Sequence, residues 1–398
     1  MSAPLFSRPR IVAFFAIAGL LAVACSNDDG TGSTVATTAP AVSEAPTTTA
    51  TVADTVADTT AATEPATTEP ATTDPAAVTP GDWEDITAPA DCMCSDASEF
   101  HYFVREGDPN RVVLFFEGGG ACFSAETCGP GSNTYKRAIF PPPADGDGIF
   151  DVDNERNPFL GWSMVYVPYC TGDVHIGNTT TDYGDGVVMQ HKGYVNGTAA
   201  LAGLVDRFPG VEQLVVAGES AGSIPSPLYA GLAHDALPDT RITVLADGSG
   251  AYPGTAGLSA GIGALWGTAN AIPDWPETEG LTTADWTLPG LFVHAGAHAP
   301  EITFARHDYA YDAVQAFFTG LVGGDPEQEL ATIDGNETMI EGTGVELWSY
   351  ISPGNSHTVL GKEQFYTETV NGVLLVDWVT ALVRGEPVED VHCVECDG

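Results

Sequence analysis

The chain has 398 residues and a formal net charge of −41, from 13 basic and 54 acidic side chains. So acidic a surface repels phosphate, which excludes nucleic acid as a partner and disfavours a polyanionic substrate. A strongly solvated surface, suited to salt, is the plain physical reading of that charge.

Residues 1–25 read as an export signal: Arg8 and Arg10 precede the apolar run IVAFFAIAGLLAVA, and Cys25 follows, then Ser26-Asn27-Asp28-Asp29. The apolar core is too short for an ordinary membrane span. LAVAC resembles the lipobox of bacterial lipoproteins, in which the cysteine is acylated after cleavage, although Ala22 stands where those signals usually carry leucine. Lipid attachment at Cys25 is therefore expected, giving a cell-surface protein whose contact with membrane is that anchor. Ordinary secretion is the alternative. Residues 26–80 repeat short Thr, Ala, Pro, Asp and Glu units such as TVADTVAD. With no large apolar residues to offset the entropy of ordering, this stretch is expected to be a disordered tether. Residues 81–398 then form one domain with a deep core, expected as a monomer.

Within that domain, apolar runs rich in β-branched and aromatic residues predict strands at Val112–Glu117, Met164–Tyr169, Leu214–Ala217, Ile242–Ala246, Ile302–Ala305 and Val345–Ile351. Near-continuous apolar strands of this length suit a parallel sheet buried on both faces. Helical patterns lie between them, over His191–Phe208, from Pro225 to Leu237, and from Asp312 onward. Strands alternating with helices imply an α/β fold with a doubly wound, mostly parallel sheet. In such sheets reactive groups gather beyond the carboxyl ends of the strands, where Gly118–Gly120, Ser220 and His357 all fall.

The segment LVVAGESAGSIPSP contains Gly218-Glu219-Ser220-Ala221-Gly222, a strand, a sharp turn and then a helical pattern. That is the context of a nucleophile elbow, where flanking glycines let neighbouring backbone approach a strained serine. A serine hydroxyl needs a base, and His357, in SPGNSHTV directly after the last strand, follows the serine in the required order. His175, His191, His294, His298 and His307 are the competitors, the first two preceding the serine. A carboxylate must orient the imidazole; Asp312, Asp308 and Asp247 all qualify by position, and Asp312 could instead be a helix N-cap. The oxyanion needs amides: the N–H of Ala221 and donors from the turn in FFEGGGACFSAETC, where Cys122 and Cys128 are spaced to close a small stiffening loop.

Eight cysteines in an exported chain predict disulfides. With Cys25 set aside, seven remain, which leaves one free. Cys92, Cys94, Cys393 and Cys396 could be read as a zinc set, but stapling of the two ends of the domain to each other or to Cys170 is the expectation.

LFFEGGGACFSAETC, WSMVYVPYCTGDVHIG, HKGYVNGTAAL, VVAGESAGS, YDAVQAFF and GNSHTV, in this order, resemble the pectin acetylesterase and Notum family of α/β-hydrolase-like carboxylic ester hydrolases. The resemblance spans roughly residues 95–385. It implies Ser220 as nucleophile, Asp312 as acid and His357 as base, the amides of Gly119, Gly120 and Ala221 as oxyanion hole, and no metal or cofactor. It also implies a Cys122–Cys128 disulfide and a distant partner for Cys170. One departure stands out: where relatives often carry a bulky aromatic residue within the stretch after EGG, this chain has Gly120 and Ala121. The implied activity is deacetylation of a neutral O-acetylated polysaccharide or cleavage of another small ester. The alternative is a non-catalytic, surface-tethered glycan-binding module on the same frame.

Overall fold

The computed structural model describes residues 81–142 and 146–397. The export signal, Cys25 and the tether expected over residues 1–80 lie outside the described residues.

Four strands open the chain: β1 (Trp83–Thr87), β2 (His101–Arg105), β3 (Asp108–Phe116) and β4 (Trp162–Val167), with the short helix α1 (Ala125–Cys128) between the last two. A hairpin of β5 (Thr179–Asp182) and β6 (Val188–His191) leads to α2 (Gly193–Arg207), β7 (Gln213–Glu219), α3 (Ser226–Ala236) and β8 (Arg241–Asp247). Then come α4 (Ala256–Trp266), α5 (Gly290–His298), β9 (Thr303–Tyr309), α6 (Ala313–Leu321), α7 (Glu329–Glu341) and β10 (Leu347–Ser352). The chain ends with a small hairpin, β11 (Thr369–Val370) and β12 (Val373–Leu374), then α8 (Leu375–Arg384) and β13 (Val391–His392).

Nine strands form the central sheet in the order β1-β2-β4-β3-β7-β8-β9-β10-β13. From β4 to β13 every pairing is parallel, whereas β1 and β2 add antiparallel at one edge. The six strands predicted from sequence all lie in the parallel part. Alternation explains how both faces are buried: Val112, Leu114 and Phe116 point to one core, and Val113 and Phe115 to the other. The first core is roofed by α2, α3, α5 and α7; the second is closed chiefly by α8 and by loop residues such as Ile149, Phe159 and Phe365. The winding is thus double but unequal. Among the described residues no helix is long and apolar enough to cross a membrane.

Register brings the carboxyl ends of the central strands level with one another. Phe116 lies opposite Gly218, and Gly218 opposite Ala246. One residue on, Glu219, Asp247, His307 and Tyr350 form a row across β7, β8, β9 and β10. The loops leaving these strands therefore open on one edge of the sheet.

The cysteines correct one expectation. Cys94 pairs with Cys170 and Cys122 with Cys128, but Cys393 closes on Cys396 instead of reaching the other end of the domain. A two-residue spacing at the end of β13 lets that pair meet locally. With three of its four thiols in disulfides, the zinc set does not form. Cys92 stays free and buried, and burial, helped by Asp91, pushes its thiol up to about 11. A protonated, enclosed thiol is a poor nucleophile. Iodoacetamide at pH 8 should therefore label Cys92 only after denaturation, and Cys94, Cys170, Cys122, Cys128, Cys393 and Cys396 only after reduction. Peptide mass spectrometry reads both, and rapid labelling of native protein would contradict the placement.

Candidate active site

Ser220 follows β7 at the start of a single tight turn and has φ +54, a left-handed conformation. For a residue with a Cβ this costs about 1–2 kcal/mol, so the surroundings must hold it there. They do so through glycine. A Cβ on Gly218 would strike the carbonyl of Gly222, and one on Gly222 would strike the carbonyl of Phe116. Ser223 caps the turn, its N–H and hydroxyl donating to the Ser220 carbonyl at 3.0 and 2.7 Å. This is the strand–turn–helix arrangement expected of a nucleophile elbow.

His357 sits on the loop after β10 and Asp312 on the loop after β9. The imidazole Nδ1 donates to Asp312 Oδ2 at 2.6 Å. Asp312 is fully buried, and its other contacts come from Val314 N, Gln315 N and Gln315 Nε2 at 2.8, 3.0 and 3.0 Å. The sequence leaves two readings of Asp312 open, helix N-cap and imidazole partner. Both hold, because one oxygen caps α6 while the other meets the ring. With Nδ1 donating, Nε2 presents its lone pair, and it has no partner among the described residues. No hydrogen bond joins it to Ser220 Oγ here; in such sites this contact is often long until substrate binds.

The glycine turn after β3 packs against the elbow. A Cβ on Gly118 would lie 2.9 Å from the Ser220 Cβ and 2.7 Å from the Glu219 carbonyl. Gly120 has φ +75, and a Cβ there would run into the Thr134 carbonyl. Residues 134–136 hold the turn, through Lys136 N to Gly119 O at 2.8 Å and Ala121 N to Thr134 O at 3.0 Å. The N–H groups of Gly119, Gly120 and Ala221 have no acceptor among the described residues, so they are free to meet a negative oxygen. The Cys122–Cys128 loop continues the turn, stiffened by a Ser124–Thr127 capping box.

Beside Ser220 opens a narrow pocket of about 520 Å³, its mouth included. Its walls are almost wholly apolar: Ile224, Ile262, Trp266, Leu288, Phe318 and Val322 stand around Gly120 and Ala121. Phe318 reaches in from α6 beside the glycine turn; a Cβ on Gly120 would sit 3.0 Å from its ring.

The remaining candidates are occupied elsewhere. His191 donates to Thr171 O and meets Tyr183, His294 stacks on Trp286, and His298 bonds Asp235 and Glu277. Asp308 is buried against Gly250 N and Gln315, and Asp247 against His307. His175, held neutral by burial with a pKa lowered to about 4, donates from Nε2 to the Glu117 carbonyl at 2.9 Å and so braces the glycine turn. Glu117 itself accepts from Tyr169 N at 2.9 Å and pairs with Lys136. Sequence patterns do not single out Glu117, His175 or Glu219 for these roles, although Glu117 and Glu219 adjoin the two glycine motifs.

Glu219 carries an electrostatic load. Burial first, then the carboxylates of Asp247 and Glu117, push its pKa up to about 7, against an opposing pull from Lys362 and His357. A carboxyl whose folded-state pKa lies above its unfolded value destabilises the fold as pH rises between the two, and by a constant amount above the higher one. Glu219→Gln removes that burden. Its melting temperature should exceed wild type by several degrees at pH 8, and the gap should close toward pH 4.5; a constant gap across that range would refute the assignment.

Comparison with known proteins agrees with this geometry at the level of family and fold. The pectinacetylesterase family model matches residues 85–258. A palmitoleoyl-protein carboxylesterase, notum2 of Xenopus laevis, is 34% identical over 137 residues, covering 32% of this chain and 27% of that protein. The inactive palmitoleoyl-protein carboxylesterase notum1b of Danio rerio is 35% identical over 92 residues, covering 22% of this chain and 66% of that one. The chain thus spans less than two thirds of the length of these relatives. The solved structure of the Wnt deacylase Notum from Drosophila superposes with a TM-score of 0.58 at 16% identity, covering 80% of this chain and 97% of that one, which shows a shared fold. The chain is thus similar to the pectin acetylesterase and Notum family, in sequence over residues 85–258 and in fold.

Proposed function

We propose that this chain is a serine carboxylic ester hydrolase with Ser220, His357 and Asp312 as its triad. The observation that carries the reading is the Asp312–His357 hydrogen bond, which leaves the other imidazole nitrogen buried and without a partner among the described residues, at the sheet edge where Ser220 stands strained. His357 takes the Ser220 proton as the hydroxyl attacks the ester carbonyl, and the amides of Gly119, Gly120 and Ala221 hold the oxyanion. The protonated ring returns its proton to the departing alcohol, leaving an acyl-serine. Water, deprotonated by the same ring, releases the acid. Export and surface attachment through Cys25 belong to this reading, since three disulfides suit an oxidising compartment.

Ser220→Ala should lower turnover of nitrophenyl esters by about 10³-fold or more while leaving the melting temperature within a few degrees. A fluorophosphonate probe should modify wild type at Ser220 alone. An unlabelled, inactive wild-type protein would favour the glycan-binding module instead, a reading that the inactive relative keeps in view.

The acyl group is the finer question. Family likeness points to acetyl esters of a polysaccharide, and the charge of −41 favours a neutral glycan over polygalacturonate. The apolar pocket favours a longer chain, because an acetyl methyl would leave most of its wall unfilled. Each buried CH₂ contributes about 0.8 kcal/mol, or roughly fourfold, to transition-state binding. Across nitrophenyl acetate, butyrate, hexanoate and octanoate, kcat/KM should therefore climb. A fall from acetate onward would restore the acetyl reading.

A further inference from the structure

The carboxyl edge of the sheet holds a second Ser–His–Asp set that no substrate can reach. Asp247 ends β8, His307 lies on β9 and Ser352 ends β10, and all three are fully buried. His307 Nδ1 donates to Asp247 Oδ1 at 2.7 Å, and Nε2 accepts from the Ser352 hydroxyl at 3.0 Å. A sealed triad of this kind hydrolyses nothing. Among the described residues its side chains connect outward through the second oxygen of Asp247, which accepts the N–H groups of Val359 and Leu360 at 2.7 and 2.9 Å.

Those two amides lie two and three residues beyond His357. On the near side, the loop is tied by Gly354 N to Cys396 O at 2.8 Å and by Ala313 N to Asn355 O at 3.3 Å. Between the two ties the His357 ring has a single hydrogen-bond partner among the described residues, Asp312. We propose that Asp247 is a positioning residue, gripping the loop from below so that the His357 ring stays in line with both Asp312 and Ser220. The inference rests on the triad reading above and adds to it the residue that fixes the base. Asp247 can serve because two amides converge on one oxygen while the His307 ring, also bonded to Ser352, occupies the other. An alanine there strands three buried donors at once.

The experiment compares Asp247→Ala and Asp247→Asn with wild type in full-length protein. An error of about 1 Å in a catalytic group costs on the order of 100-fold in rate. For Asp247→Ala, kcat on the best nitrophenyl ester should fall about 10- to 100-fold with KM within about twofold. Asp247→Asn, which keeps one acceptor, should recover part of the loss. The second readout needs no turnover: the low-field proton resonance of the His357 Nδ1–H bonded to Asp312 should shift or broaden in Asp247→Asn. If Asp247→Ala does not fold, Asp247→Asn alone decides through that resonance. Lower melting temperature with unchanged kcat and an unchanged resonance would make Asp247 merely structural and overturn the proposal. Failure of wild type to react with a fluorophosphonate at Ser220 would sink the esterase reading, while the resonance would still report whether Asp247 holds the ring.

Discussion

Everything at this site depends on the register of five parallel strands. Because β3, β7, β8, β9 and β10 pair without offset at their carboxyl ends, the residues that leave the sheet do so side by side. The glycine turn, Ser220, Asp247, Asp312 and His357 come from segments spread over some two hundred and forty positions of sequence, yet no long arm is needed to unite them. A slip of one residue in any pairing would turn alternate side chains to the wrong core, so the apolar pattern that buries Val113 and Val215 on one side and Leu114 and Val216 on the other also sets the chemistry. Fold stability and site geometry are here one constraint.

That edge is also where the molecule tolerates what it excludes elsewhere. Ser220 occupies a left-handed conformation, Glu219 holds a proton more tightly than an ordinary carboxyl, and Asp312, Asp247 and Asp308 are carboxyls with no solvent exposure. Each is held by named donors or by close backbone approach. Asp312 has four donors, Asp247 three, and Gly218 and Gly222 leave the elbow no room to relax. Strain and buried charge persist where several independent contacts determine the same position.

How much of this is visible in the sequence depends on the range of each signal. The strands and the elbow are local patterns, a few residues of β-branched and aromatic character ended by glycine, and they are legible. His357 is legible through chain order. The three aspartates cannot be told apart by position, since Asp247, Asp308 and Asp312 each follow or close a strand; what separates them is which ring they meet, and that is decided across β8, β9 and β10. The antiparallel β1 and β2 and the small-residue helix α4 carry patterns too weak to predict. The Cys393–Cys396 pairing escapes because spacing admits both local and distant closure, and only the placement of β13 chooses.

The pocket beside Ser220 is also set apart by charge. The two helices that wall the pocket, α4 and α6, come from stretches 248–273 and 313–324, and neither contains a charged or histidine side chain. In a chain with 54 acidic residues this gap keeps carboxylates off the two helices that face the pocket. A wall of Ile262, Trp266, Leu288 and Phe318 also lowers the local dielectric, so a charge beside the amides of Gly120 and Ala221 is screened less than it would be in water. The acidity that keeps the surface hydrated and the apolarity of the pocket are thus kept apart by sequence, and the boundary between them runs past Ser220.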